Sequence, residues 1–366
     1  MRKECAVAIA FSFAICTAGC ASEGGGTVTD VTDTPMAPEP RTSPTPTAPT
    51  QPSDPPAPGD PPAPGGPTTP AAAWRVEASG TTDPIVGVWG SAANDVWAVG
   101  THVILRSGGD GVWTPQGTAE NDQYTAVFGS DGDVYVAGMQ CDGGLCDEGV
   151  LLRSRDGGAQ WTRQVVAAPA WGFARGGDGT IYLAIDGAVL ASKDGFETSV
   201  SHAIDTLPAA HGVFASAAGG VWAYGGLRTF EIRRSEDGGA GWTTAYSGGG
   251  GTRSGSVNAM WGLGQTVLAV ATAATVPRTF GALLRSDDGG ATFAPATLPD
   301  VDGVSSVWGA SADDVYLAGS QLLHASDGRT FAAVSLPATT SWNGVWGSGA
   351  NDVYVVGYGG TIVHLH

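Results

Sequence analysis

Short apolar runs, separated by turns rich in glycine and aspartate, fill the chain from Trp74 to its last residue. An apolar–aromatic–small unit recurs seven times, with its aromatic residues 39, 45, 41, 47, 47 and 38 positions apart. Further apolar runs such as 95–100 and 103–107 follow each unit, and a fourth run begins near an aromatic residue. This spacing predicts four short β-strands in each repeat. The seven units lie at 88–90, 127–129, 172–174, 213–215, 260–262, 307–309 and 345–347.

Seven repeats of four strands predict an all-β, seven-bladed β-propeller with four-stranded blades. The seventh repeat ends at His366 after only three strands. We expect residues 74–79 to supply its fourth strand, because Trp74 takes the position that Trp113, Trp161 and Trp242 hold elsewhere. A ring closed in this way has no open sheet edge between its first and last blades.

The turn between the third and fourth strands has the pattern S-x-D-x-G-x-x-aromatic in three repeats. It resembles the Asp-box, or BNR repeat, of sialidases, sortilin-type receptors, xyloglucan hydrolases and photosystem assembly factors. The resemblance spans residues 73–366 and implies the propeller fold. Within such a turn the Asp accepts backbone N–H bonds and glycine takes a positive φ, so we interpret the box as structural. Its members are Ser154, Asp156, Gly158 and Trp161, then Ser235, Asp237, Gly239 and Trp242, then Ser286, Asp288, Gly290 and Phe293.

Other residues that suggest chemistry are better explained by the repeat. One repeat position is held by four tryptophans: Trp89, Trp261, Trp308 and Trp346. We expect these side chains in the core and not in a carbohydrate-binding site. An arginine recurs before the Asp-box serine in several blades, which spreads the arginines round the ring and gathers none at a sialidase-like site. We predict no catalytic residue, no metal and no cofactor; a metal site at His364 and His366 is the less favoured alternative.

The N-terminal residues have the features of an export signal. Arg2 and Lys3 precede ten apolar residues, 6–15, too few to span a bilayer but suited to a signal peptide. The run ends at Thr17-Ala18-Gly19-Cys20, which resembles a lipoprotein lipobox. We therefore predict a signal peptide over 1–19, a lipidated Cys20 with a proline-rich spacer over 20–72, and the propeller over 73–366. Ordinary cleavage near Ala18 or Ala21 is the alternative.

Export also fits the cysteine content. Cys5 and Cys16 belong to the predicted signal peptide and Cys20 to the lipid anchor, which leaves Cys141 and Cys146. Two cysteines in one glycine-rich segment of an exported protein predict a disulfide.

The acidic net charge of the chain limits the classes of partner that it is expected to bind. Without residues 1–19 the chain has 15 Lys and Arg against 34 Asp and Glu, which argues against nucleic acid as a partner. We predict a monomeric binding or scaffold lipoprotein of the cell envelope, most simply at an outer membrane, facing periplasm or exterior. Its partner would be an envelope protein or a glycan. The alternative is a carbohydrate-binding or polysaccharide-degrading protein of the Asp-box hydrolase type.

Insertions into the repeat indicate where binding would occur. Connections between second and third strands share one face of a propeller with connections between blades, and the long insertions belong to these two classes. We expect this irregular face to bind the partner. The insertions lie at 139–148, 226–229, 272–280, 117–123 and 247–255.

Overall fold

A computed structural model describes residues 72–117, 122–142, 145–204, 207, 209–249, 254–275 and 277–366. These residues form seven antiparallel four-stranded sheets, and the predicted propeller is confirmed. One 3₁₀ turn, Tyr358–Gly360, is the only helical element of these ranges. The predicted signal peptide, Cys20 and the spacer lie outside them. No helix among the described residues is long and apolar enough to cross a bilayer.

Each blade runs from an inner first strand to an outer fourth strand. Blades 1 to 3 contain β2 Ile85–Ala92, β3 Asp95–Gly100, β4 Val103–Ser107 and β5 Trp113–Pro115; β6 Asp122–Ser130, β7 Asp133–Asp142, β8 Leu145–Ser154 and β9 Thr162–Val166; and β10 Ala170–Arg175, β11 Ile181–Ile185, β12 Ala188–Ser192 and β13 Val200–Ala203. Blades 4 and 5 contain β14 Ala210–Ala215, β15 Val221–Gly225, β16 Phe230–Ser235 and β17 Thr243–Gly248; and β18 Ser254–Leu263, β19 Thr266–Ala274, β20 Thr279–Ser286 and β21 Ala294–Ala296. Blades 6 and 7 contain β22 Val304–Gly309, β23 Val315–Gly319, β24 Leu322–Ala325 and β25 Ala332–Ala333; and β26 Trp342–Gly349, β27 Asp352–Gly357, β28 Ile362–Leu365 and β1 Trp74–Glu77.

The N-terminal strand β1 closes the ring, as predicted. It pairs antiparallel with β28, the third strand of blade 7, with Trp74 opposite Leu365 and Glu77 opposite Ile362. The inner strands of neighbouring blades contact one another all the way round, including β26 of blade 7 with β2 of blade 1. The strand ends at Glu77, two residues before the predicted end.

A buried charged cluster lies at this closure. The His364 imidazole bonds to Glu77 through Nδ1, at 2.8 Å, and to Asp352 through Nε2, at 2.6 Å. Trp113 of blade 1 donates its indole N–H to the second Glu77 oxygen at 2.7 Å, and the Tyr354 ring stacks on the imidazole. Both His364 nitrogens are therefore occupied by carboxylates. Among the described residues, no group of three or more His, Cys, Asp or Glu side chains is arranged so that it could hold a metal ion.

The repeated aromatic–glycine pair has a steric origin at the inner strands. In five successive blade contacts an aromatic ring lies over the glycine of the next inner strand, so that a Cβ on that glycine would be within 2.9 Å of the ring. The four tryptophans that we expected in the core pack against the hydrophobic core, but their side chains are only half-buried: Trp89, Trp261, Trp308 and Trp346. The pairs are Trp89–Gly129, Phe214–Gly262, Trp261–Gly309, Trp308–Gly347 and Trp346–Gly90.

The turns that resemble the Asp-box, called Asp-box turns below for this resemblance, contain the same hydrogen bonds in each full copy. In blade 2 the Ser154 hydroxyl donates to Asp156 at 2.9 Å and accepts the Gly158 N–H at 2.8 Å. The Asp156 carboxylate also accepts the Gln160 N–H at 2.9 Å. The turns at Ser235 and Ser286 repeat this pattern.

Three of the recurring arginines join their blade to the turn between the third and fourth strands of the next blade. Arg106 donates to the Gly157 carbonyl at 2.8 Å, Arg153 to Gly195 at 2.9 Å and Arg285 to Gly328 at 2.8 Å. Each acceptor belongs to the following blade, so these arginines are distributed around the ring.

Candidate functional site

The two faces of the ring differ in their connections. We call upper the face with the connections between second and third strands and between blades, and lower the face with the Asp-box turns. Each inner strand has a β-bulge near its upper end, where the ladder register shifts by one residue. The seven bulge residues surround the upper mouth of the ring: Val86, Thr125, Trp171, His211, Asn258, Ser305 and Asn343.

Three of these residues join neighbouring blades. Thr125 donates to the Ala170 carbonyl at 2.7 Å, Asn258 to Val304 at 2.7 Å and Asn343 to Ile85 at 2.9 Å. In each case the carbonyl belongs to the first ladder residue of the next inner strand. At these positions a short polar side chain therefore has a structural role.

Two large rings, Trp171 and His211, occupy the same bulge position in the adjacent blades 3 and 4. The Trp171 indole N–H donates to Asp186 Oδ1 at 2.8 Å, and His211 Nδ1 bonds to Ser256 Oγ at 2.6 Å. Their ring centroids are 5.3 Å apart. All four side chains are half-buried. We call Trp171, Asp186, His211 and Ser256 the mouth cluster.

The mouth cluster contains two titratable side chains, the His211 imidazole and the Asp186 carboxyl group. Burial lowers the pKa of His211 to about 4, so its imidazole is neutral. Burial also raises the pKa of Asp186, while the hydrogen bond from Trp171 lowers it in part. The cluster therefore combines two aromatic rings, a hydroxyl and one carboxyl group, without a cation of its own.

Taller hairpins stand on both sides of the mouth cluster. In blade 2, β7 has ten residues, whereas β11 of blade 3 has five, which extends the blade 2 hairpin by on the order of 10 Å. In blade 5, β19 has nine residues, against five in β15 of blade 4. The insertions 139–148 and 272–280, which we expected to be connections between strands, are mainly extended strand in their described residues.

Continued pairing explains these extended strands. Gln140 lies opposite Glu148, and a disulfide joins Cys141 to Cys146 in the blade 2 finger, 139–148. Arg163 holds the finger base, because it donates to both the buried Asp122 and Gln140. In blade 5 the ladder continues to Ala274 opposite Thr279.

Exposed apolar side chains occur on both faces of the propeller. On the upper face, Leu145 at the finger tip is 71 % exposed and Leu227 of blade 4 is 61 % exposed. On the lower face, Val112 and Leu263 have exposures of 58 % and 54 %. These four residues provide matched probes of the two faces.

None of the sequence-predicted site residues belongs to the mouth cluster. The Asp-box residues are on the lower face, whereas the finger disulfide and the described parts of the insertions 226–229 and 272–280 are on the upper face. Cys20 and insertion residues 118–121, 143–144, 250–253 and 276 are outside the described residues. Trp171 and His211 were missed by the sequence analysis. Their signal is a large ring two positions before Phe173 and three before Phe214, at positions where other repeats have Val, Thr, Ser or Asn.

Comparison with solved structures supports the fold. YCF48 from Cyanidioschyzon merolae superimposes with a TM-score of 0.61 at 18% identity, covering 81% of this chain and 99% of that chain. A structure of YCF48 bound to D1 peptide has a TM-score of 0.61 at 16% identity, covering 82% and 98%. The GH74 xyloglucanase from Xanthomonas campestris has a TM-score of 0.62 at 15% identity, covering 79% of this chain and 53% of that chain. No protein-family profile and no curated protein matches the sequence.

Proposed function

We propose that this chain is an extracytoplasmic binding protein, tethered to a cell-envelope membrane through Cys20, whose propeller recognises a partner protein with its upper face. The observation that supports this most directly is the mouth cluster. Two large rings occupy bulge positions where Thr125, Asn258 and Asn343 join blades, and both rings are half-buried. A rigid ring that holds two aromatic side chains in place by hydrogen bonds offers a preorganised binding surface.

Two further observations support a protein partner. The blade 2 finger is stabilised by a disulfide and by Arg163 although it extends beyond the blade, which suits a contact surface. Among the solved structures, YCF48 is described with a bound D1 peptide, so a propeller of this shape has a peptide-bound precedent. The same proposal places the lipid anchor in the outer membrane, with the propeller in the periplasm or outside the cell.

Site-specific photo-cross-linking in the producing cell tests this proposal. A benzophenone amino acid replaces Leu145 or Leu227 in the full chain, and Val112 or Leu263 in the matched lower-face controls. We expect a discrete protein adduct from the two upper-face positions and none from the lower-face positions. Adducts confined to the lower face, or absent from every position, would contradict the proposal; absence would favour the glycan alternative, which a polysaccharide-binding screen then addresses.

A further inference from the structure

Asp186 is a half-buried carboxyl group without a basic partner among the described residues. It lies in the turn between β11 and β12 and accepts one side-chain hydrogen bond, from Trp171. None of the ion pairs in the described ranges includes it. Arg163 of the preceding blade is paired with Asp122, and Arg175 of the same blade with Asp131. Burial of a carboxylate without a nearby cation costs free energy, and a cationic ligand would offset this cost.

The surroundings of Asp186 favour a cation with an apolar stem. The Trp171 ring lies beside the carboxyl group, the His211 ring lies 5.3 Å from the Trp171 ring, and the neutral imidazole does not repel a cation. The finger of the neighbouring blade 2 carries three exposed carboxylates, Asp142, Asp147 and Glu148, which favour a cationic over an anionic ligand on this side of the upper face. An anionic ligand would meet these carboxylates with no cation in the mouth cluster to hold it.

We propose that the mouth cluster binds a lysine or arginine side chain carried by an extended segment of the partner protein. The ammonium or guanidinium group donates to Asp186, and the alkyl stem lies against Trp171 and His211. This inference rests on the proposed function, because it names the chemistry that the upper face recognises.

Indole NMR tests the site directly. The full chain carrying Cys20→Ser is labelled with ¹⁵N at tryptophan indoles, and the Trp171 resonance is assigned from its loss in Trp171→Phe. The probe is a capped glycine–serine peptide containing several lysines, and the matched probe has glutamates instead. We expect the lysine peptide to shift the Trp171 resonance and the glutamate peptide to leave it unchanged.

The variant Asp186→Asn isolates the charge, since its amide oxygen still accepts the Trp171 N–H. We expect its dissociation constant for the lysine peptide to rise about tenfold. Glu236→Gln on the lower face makes the same change in net charge and should leave binding unaltered; the Glu236 side chain is 75% exposed. Equal affinity of Asp186→Asn and the parent, or an unmoved Trp171 resonance, would overturn the inference.

The two experiments fail separately. If the Leu145 and Leu227 adducts form but binding of the lysine peptide does not depend on Asp186, the upper face binds protein by other chemistry and the proposed cation site is wrong. If the peptide requires Asp186 but no adduct forms, the cation site is correct and the proposed protein partner is wrong.

Discussion

Replacement of His364 by alanine is expected to lower the free energy of unfolding by about 3–5 kcal/mol. The imidazole is 2% exposed and lies between the carboxylates of Glu77 and Asp352. Its removal leaves two carboxylates without the group that joins them, and it also removes the ring stacked on Tyr354. Because Glu77 belongs to β1 and His364 to β28, the loss falls on the contact that closes the propeller. Guanidinium denaturation followed by tryptophan fluorescence measures it.

Blade 6 offers a matched control for His364. His324 occupies the same position on its third strand, stacks on Tyr316 and bonds to a single carboxylate, Asp314, at 2.6 Å. Its side chain is 30% exposed, so solvent screens the contact. We expect His324→Ala to cost less than about 1 kcal/mol. Similar losses in the two variants would show that the second carboxylate and the burial of His364 contribute nothing.

The same cluster predicts a pH dependence of stability. Burial lowers the pKa of His364, but hydrogen bonds to Glu77 and Asp352 raise it by more, so its pKa lies above the ordinary value. The folded state therefore holds this proton more tightly than the unfolded state. The contribution is complete below the unfolded pKa, about 6.5, and is lost as the pH rises through the folded pKa. We expect the melting temperature to fall with rising pH above neutrality, and this component to be absent in His364→Ala; parallel profiles would contradict the assignment.

The blade architecture is predictable because each blade repeats the same physical requirement. An aromatic residue such as Trp89 needs a glycine in the next inner strand, and this pairing leaves a visible period in the sequence. Closure by Trp74 follows from the count, since the seventh repeat lacks one strand. The Glu77–His364 contact does not follow, because the two residues are 287 positions apart and meet only when the register of β1 and β28 is known.

The mouth cluster was less predictable for a related reason. A β-bulge shifts the register by one residue, and the alternation of apolar and polar positions does not reveal which side chain then turns towards the mouth. The extended strands of the finger were not predictable, because its glycines, aspartates and cysteines are typical of a loop. Its ladder depends on pairing between Gln140 and Glu148 and on the disulfide, neither of which has an apolar periodicity.

Substitution of Gly158 by alanine is expected to destabilise the fold by about 3 kcal/mol, from left-handed backbone strain and overpacking together. Gly158 has a φ of +93° in the Asp-box turn of blade 2, and an added Cβ would lie 2.6 Å from Cη2 of Trp97. Trp97 belongs to blade 1 and is fully buried, so its ring has little room to move. The measurement is the change in denaturation midpoint at constant m-value.

Gly132 separates the two causes, because its φ of +89° is nearly the same and nothing lies within 4 Å of its Cβ position. We expect Gly132→Ala to cost only about 1 kcal/mol, the strain alone. The difference in stability loss between the two variants then measures the cost of crowding the Trp97 ring where it packs against the Asp-box turn. A similar contact joins blades 4 and 5, where the Trp222 ring of blade 4 lies over Gly290 of blade 5 and its indole N–H donates to the Gly290 carbonyl at 2.8 Å. A larger loss of stability in Gly158→Ala would show that the Asp-box turn packs closely against the neighbouring blade. Equal losses in the two variants would show that it acts only as a local turn.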